Sequence, residues 1–92
     1  MLKIEATNQF KRDFKLAMKR GCNPADFKKV VDMLSNEIPL PERYQDHLLI
    51  SSKNYKDVRE CHISPDWLLV YRIEKATLLL QLIRTGTHSD LF

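Results

Sequence analysis

Glycine and cysteine are scarce in this chain: 92 residues contain only two of each. The thiols, Cys22 and Cys61, sit in unrelated segments without metal-ligand spacing. That excludes a disulfide framework and points to two reduced thiols in a cytosolic protein. Long apolar runs are also missing. The most apolar stretch, WLLVYRIEKATLLLQLI, is broken by Arg72, Glu74 and Lys75 and cannot span a bilayer. Lys3 and Glu5 interrupt the N-terminus and no apolar segment follows, so no signal peptide is expected and the location should be cytoplasmic. Repeats, linkers and low-complexity tracts are absent as well.

What is present is a folding composition, 43% hydrophobic against 29% charged. A chain of this size hides roughly 60–65% of its unfolded surface, enough for one modest core. A single domain over residues 1–92 is expected. Net charge is +3 with a pI near 9.0, which permits contact with nucleic acid without requiring it.

Leu2 and Ile4 alternate with Lys3 and Glu5, the pattern of a short strand. Thr7 or Asn8 can cap a helix whose apolar face carries Phe10, Phe14, Ala17 and Met18, and Gly21 suits its end. Asn23 and Pro24 open a second helix, with Asp26 in its first turn and Phe27, Val30, Val31 and Leu34 as its buried stripe. Pro39 and Pro41 are expected to stop it. The period then changes. HLLI, residues 56–63, 67–73 and 77–84 read as four strands, and the last two are apolar on both faces. The expected fold is α+β: an N-terminal strand and a two-helix hairpin packed on a curved antiparallel sheet. The sheet's other face has nothing left in the sequence to cover it and is expected to carry the function.

Consecutive strands of a meander run in opposite directions. The end of the 56–63 strand therefore lies beside the start of the 67–73 strand, and the end of the last strand returns to that same edge. Pairing alone gathers His62, Asp66, Arg84 and His88, and His47 joins them if its strand lies alongside. Imidazoles exchange protons near neutral pH and can act as base and acid. An arginine fork suits a phosphate. Trp67 and Phe92 could stack a nucleobase, at roughly 1–3 kcal/mol per base. Together these groups suit cleavage of RNA without a metal or other cofactor: a base takes the ribose 2′-hydroxyl proton, that oxygen attacks phosphorus, Arg84 stabilises the added charge and an acid protonates the leaving 5′-oxygen. His88 is the expected acid. His47, His62 and Asp66 all qualify as the base. The three histidines match no compact ligand motif, so no metal site is expected. Lys11, Lys15 and Lys19, four residues apart on one helix face, form either a solvated face or a rail for nucleic-acid phosphates. Arg59 could grip a phosphate or pair with Glu60 or Asp57.

RYQDHLLI, VRECHISPDWLLVYRI and RTGTHSDLF together resemble the YafQ branch of the RelE superfamily, the toxins of bacterial toxin–antitoxin pairs. The resemblance implies a microbial-ribonuclease-like α+β fold and cutting of messenger RNA in the ribosomal A site. It implies functional roles for His47, His62, Asp66, Trp67, Arg84, His88 and Phe92. It also implies a cognate antitoxin partner, with the pair binding operator DNA through the antitoxin. HLLISS departs from the Pro-Leu then Gly pattern of relatives, which bears on the 50–56 loop and on substrate fit. Two rival readings share the outline: a toxin of this fold that poisons DNA gyrase, whose relatives lack this histidine set, and a nucleic-acid-binding module without catalysis.

Overall fold

The computed structural model describes residues 1–49 and 58–91. Phe92 and the 50–56 loop lie outside the described residues.

Strand β1 (Lys3–Ala6) leads into helix α1 (Asn8–Lys19). Thr7 makes the junction. Its hydroxyl accepts from the Phe10 amide at 3.0 Å, capping α1, and donates to the Ile83 carbonyl at 2.8 Å, tying the helix start to the last strand. At the other end Gly21 takes φ +84°. Its amide donates to Met18 O and that of Cys22 to Ala17 O, both at 3.1 Å, so the last carbonyls are satisfied in a Schellman turn. Helix α2 (Pro24–Ser35) starts as read, with the Asn23 side chain accepting from the Ala25 amide at 2.9 Å. It ends earlier than Pro39. Glu37 enters the left-handed region at φ 56°, and the Ile38 amide donates back to Met33 O at 2.9 Å. The same Schellman closure is thus made without glycine, before either proline acts.

After a 3-10 turn at Glu42–Tyr44 come β2 (His47–Leu48), β3 (Arg59–Ser64), β4 (Trp67–Glu74), β5 (Leu79–Gly86) and a one-turn helix α3 (His88–Leu91). The sheet order is β1-β5-β4-β3-β2. The β2–β5 meander is antiparallel. The expected packing of β1 on an antiparallel sheet is corrected: β1 joins the sheet, parallel to β5, with Lys3 opposite Leu79 and Ala6 opposite Leu82. The outer edge of β5 would otherwise present unpaired backbone groups, and β1 covers it. The last strand also lies two residues later than read, because Leu78 takes φ 52° in a four-residue turn.

The core lies between the helices and one sheet face. Phe10 stacks on Phe14 and on Phe27, and Phe14 meets Phe27 at a tilt with 4.8 Å between centroids. Trp67 closes this group at 6.4 Å from Phe14 and 6.2 Å from Phe27. Such ring pairs contribute about 0.5–1.5 kcal/mol each beyond the area they bury. Cys61, Ile63, Leu69, Tyr71, Leu80 and Leu82 complete the layer from the sheet. The opposite face is not bare as expected: Leu68 and Val70 are 2% and 1% exposed. Both cysteines are free, and burial pushes the Cys61 thiol up to about 12.

Candidate active site

Alternation along β3 turns Cys61 and Ile63 into the core and Glu60 and His62 onto the other face. The β3–β4 ladder slips between His62 and Ser64, and Pro65 and Asp66 make the turn. β4 then pairs with β5 so that Leu68 stands opposite Gly86. This one register brings the chain after β5 back to the rim where β3 ended. His62, Asp66 and His88 line a single hollow of about 400 Å³ with Pro65, Leu68 and Thr87.

Two further hollows adjoin it. One, of about 530 Å³, shares His62 and holds Lys29 and Arg43 on its walls. The other, of about 190 Å³, shares Asp66 and includes Asp13, Arg20, Arg84 and Asp90. Cations therefore flank the central hollow on both sides.

Arg84 is positioned by a second irregularity. The β4–β5 ladder runs Tyr71 opposite Leu82, then Val70 opposite Arg84, passing over Ile83. Beyond Leu82, where β1 stops, Asp13 of α1 takes over the edge of β5. Its carboxylate accepts from Arg84 Nε at 3.0 Å, Arg84 Nη2 at 3.1 Å and the Thr85 amide at 3.3 Å. Burial pushes the Asp13 carboxyl up, but hydrogen bonds from Arg84, Gln9 and the Thr85 amide outweigh it and hold the group below its ordinary value. The Nε and Nη2 edge of the guanidinium read as suited to a phosphate is engaged by Asp13.

His47 stands opposite Glu60 in the β2–β3 ladder, on the face that carries His62. Its Nδ1 lies 2.7 Å from the Gln45 carbonyl, and its Nε2 lies 3.5 Å from Glu60 Oε1. With Nδ1–H donated to that carbonyl, a neutral ring leaves Nε2 bare; a charged ring turns an N–H toward Glu60. Glu60 is 6% exposed, and its Oε2 has no hydrogen-bond partner among the described residues. His47 is not among the side chains that line the central hollow.

Trp67 could stack a base or pack in the core. At 3% exposure it belongs to the phenylalanine cluster, because the first residue of β4 points to the core face. Phe92 lies outside the described residues. Lys11, Lys15 and Lys19 are exposed along α1. Arg59 pairs with Asp46, not Glu60, because successive strand residues face opposite sides. Sequence reasoning missed Glu60, Asp13 and the Arg20–Asp90 pair. Glu60 had a signal, two residues before His62 on one strand. Asp13 and Arg84 are 71 residues apart, and no periodicity marks such a pair. Among the described residues, no three His, Cys, Asp or Glu side chains gather as a metal site.

Two helices on a mixed five-stranded sheet, with two imidazoles and a carboxylate lining a hollow at one rim, define a small α+β protein with a candidate site at that rim. Residues 2–92 match the family described as bacterial toxin of type II toxin-antitoxin system, YafQ, and the chain belongs to that family. It is 43% identical over 90 residues to the mRNA interferase toxin YafQ of Escherichia coli B/BL21-DE3, covering 97% of this chain and 94% of that one. A crystal structure of a metal-bound toxin from Helicobacter pylori superposes with a TM-score of 0.91 at 46% identity, over the whole of both chains. The E. coli DinJ–YafQ complex contains a chain that superposes with a TM-score of 0.87 at 42% identity, covering 100% of this chain and 99% of that one. No helix among the described residues is long and apolar enough to cross a membrane.

Proposed function

We propose that this chain is an endoribonuclease toxin that cuts messenger RNA on the ribosome. The observation that carries the reading is the shared hollow of His62, Asp66 and His88, set by the Leu68–Gly86 register. A scissile phosphate in that hollow meets a proton acceptor on one wall and a proton donor on the other. Of the three candidate bases, His62 and Asp66 line the hollow, whereas His47 is turned to Glu60. The base removes the 2′-hydroxyl proton. The oxygen attacks phosphorus, the bond to the 5′-oxygen breaks, and a 2′,3′-cyclic phosphate remains. His88 delivers the proton that the departing 5′-oxygen needs. Arg84, fixed by Asp13, supplies a positive charge beside Asp66 for the transition state.

Binding follows from charge. Lys29 and Arg43 on one flank and the Lys11, Lys15 and Lys19 row on α1 suit phosphates to either side of the cut and of ribosomal RNA. Each such contact makes binding weaker as salt rises. The partner in the cell is a cognate antitoxin, acidic enough to cover these cations, and the pair binds operator DNA through the antitoxin.

The test is expression in a bacterium with mapping of new 5′ ends on messages and measurement of DNA supercoiling. New in-frame ends with unchanged supercoiling are expected. Intact messages with altered supercoiling would assign the chain to gyrase poisons instead. Neither effect would leave a binding module.

A further inference from the structure

We infer that Arg20 and Asp90 form a latch that sets the position of His88, which makes both of them positioning residues for cleavage. The inference rests on the reading of His88 as the proton donor. Its basis is the way the tail is held. Helix α3 has a single turn, too short to persist on its own. It closes by a reciprocal cap: the Asp90 amide donates to Thr87 Oγ1 at 3.2 Å, and the Thr87 amide donates to Asp90 Oδ2 at 2.9 Å. The same carboxylate reaches out of the turn. Arg20 Nη1 donates to its Oδ2 at 2.6 Å, with Nη2 3.5 Å from Oδ1.

The pair itself is partly exposed, Arg20 at 45% and Asp90 at 29%, and the backbone at both ends is what holds it. Arg20 is the residue that closes α1, fixed in turn by the Gly21 Schellman closure. On the other side, a Cβ at Gly86 would lie 3.0 Å from both Cβ and Oδ2 of Asp90, so glycine is what lets the carboxylate fold over the strand end. His88 lies between the cap residue and Asp90 and inherits their position. One helix thus holds both halves of the site: Asp13 grips Arg84 and Thr85, and Arg20 grips the turn that carries His88.

Asp90 gives a test whose sign is informative. Removing a carboxylate from a cationic protein leaves RNA binding equal or tighter, so slower cutting by Asp90→Ala cannot come from lost attraction. The assay measures single-turnover cutting of messenger RNA on programmed ribosomes at saturating toxin, with ribosome affinity measured separately. The latch predicts that Asp90→Ala and Arg20→Ala each cut about 10-fold slower or worse, the effect of moving one reacting group by a fraction of an ångström to an ångström. Asp90→Asn, which keeps an acceptor for the Thr87 amide, and Arg20→Lys, which keeps the charge, should recover part of the rate. In the same variants the amides of residues 87–91 should exchange faster and the His88 ring resonances should shift. His88→Ala is the reference. If it cuts at the parental rate, the donor assignment falls and the latch falls with it. If it is inactive but Asp90→Ala cuts at the parental rate, the latch alone is wrong.

Discussion

Two polar clusters sit on this sheet, and they are built differently. At one end Asp46, Arg59 and Tyr71 close on one another. Asp46 accepts from the Tyr71 hydroxyl and from Arg59 Nε and Nη2, both at 3.3 Å. Burial, then the hydrogen bond to Asp46, holds the Tyr71 hydroxyl protonated well above its ordinary value. At the other end His62, Asp66 and His88 face a shared open hollow. A cluster whose members satisfy each other spends its hydrogen bonds on the fold. One whose members line a common hollow is placed, under the proposed function, to exchange protons with a substrate.

That contrast can be broken by mutation. His88→Ala should slow message cutting by about 10²–10⁴-fold, the usual worth of a positioned acid, with antitoxin binding nearly unchanged in a pull-down. Arg84→Lys should cut about 10–100-fold slower, since an ammonium cannot keep the two-point grip of Asp13 that fixes the charge. Asp46→Ala should do the reverse. Its cutting rate per folded molecule stays parental, while urea unfolding shows a loss of about 2–3 kcal/mol from a stranded Arg59 and Tyr71 hydroxyl. Parental stability in Asp46→Ala, or lost cutting without lost stability, would erase the distinction.

A smaller effect concerns acid. The carboxyls of Asp13 and Asp90 are both held below their ordinary value, Asp13 as argued above and Asp90 by Arg20 first and then by Thr87. For a depressed carboxyl the stabilisation is complete above the unfolded value of about 4 and disappears as pH falls through the folded one. Urea melts from pH 7 to pH 2 should therefore show the parent losing stability below about pH 4. The double variant Asp13→Asn, Asp90→Asn should lose less over the same window. Smallest of all, Gly21→Ala should cost about 1 kcal/mol at the left-handed end of α1 and leave cutting untouched.

Much of this was legible in the residues. The convergence of His62, Asp66 and His88 follows from hairpin pairing alone, because consecutive antiparallel strands return to the same rim. The caps at Thr7, Asn23 and Gly21 were readable because each is a local rule. What was hidden depended on partners far away in sequence. The Asp13–Arg84 and Arg20–Asp90 pairs span 71 and 70 residues. Trp67 stayed undecided in the sequence because its aromatic face fits a base and a core equally well, and only the neighbouring Phe14 and Phe27 place it. The tail helix was readable and was missed: Thr87 and Asp90 have the three-residue spacing of a reciprocal cap.

The central claim is that the rim hollow performs acid–base cleavage through the ribose 2′-hydroxyl. Its most direct test is a programmed ribosome carrying a message with a single 2′-deoxy nucleotide immediately 5′ of the cut bond. The all-ribose message should be cut to a 2′,3′-cyclic phosphate, and the deoxy message should stay whole. Cutting of the deoxy message at the same bond would contradict it.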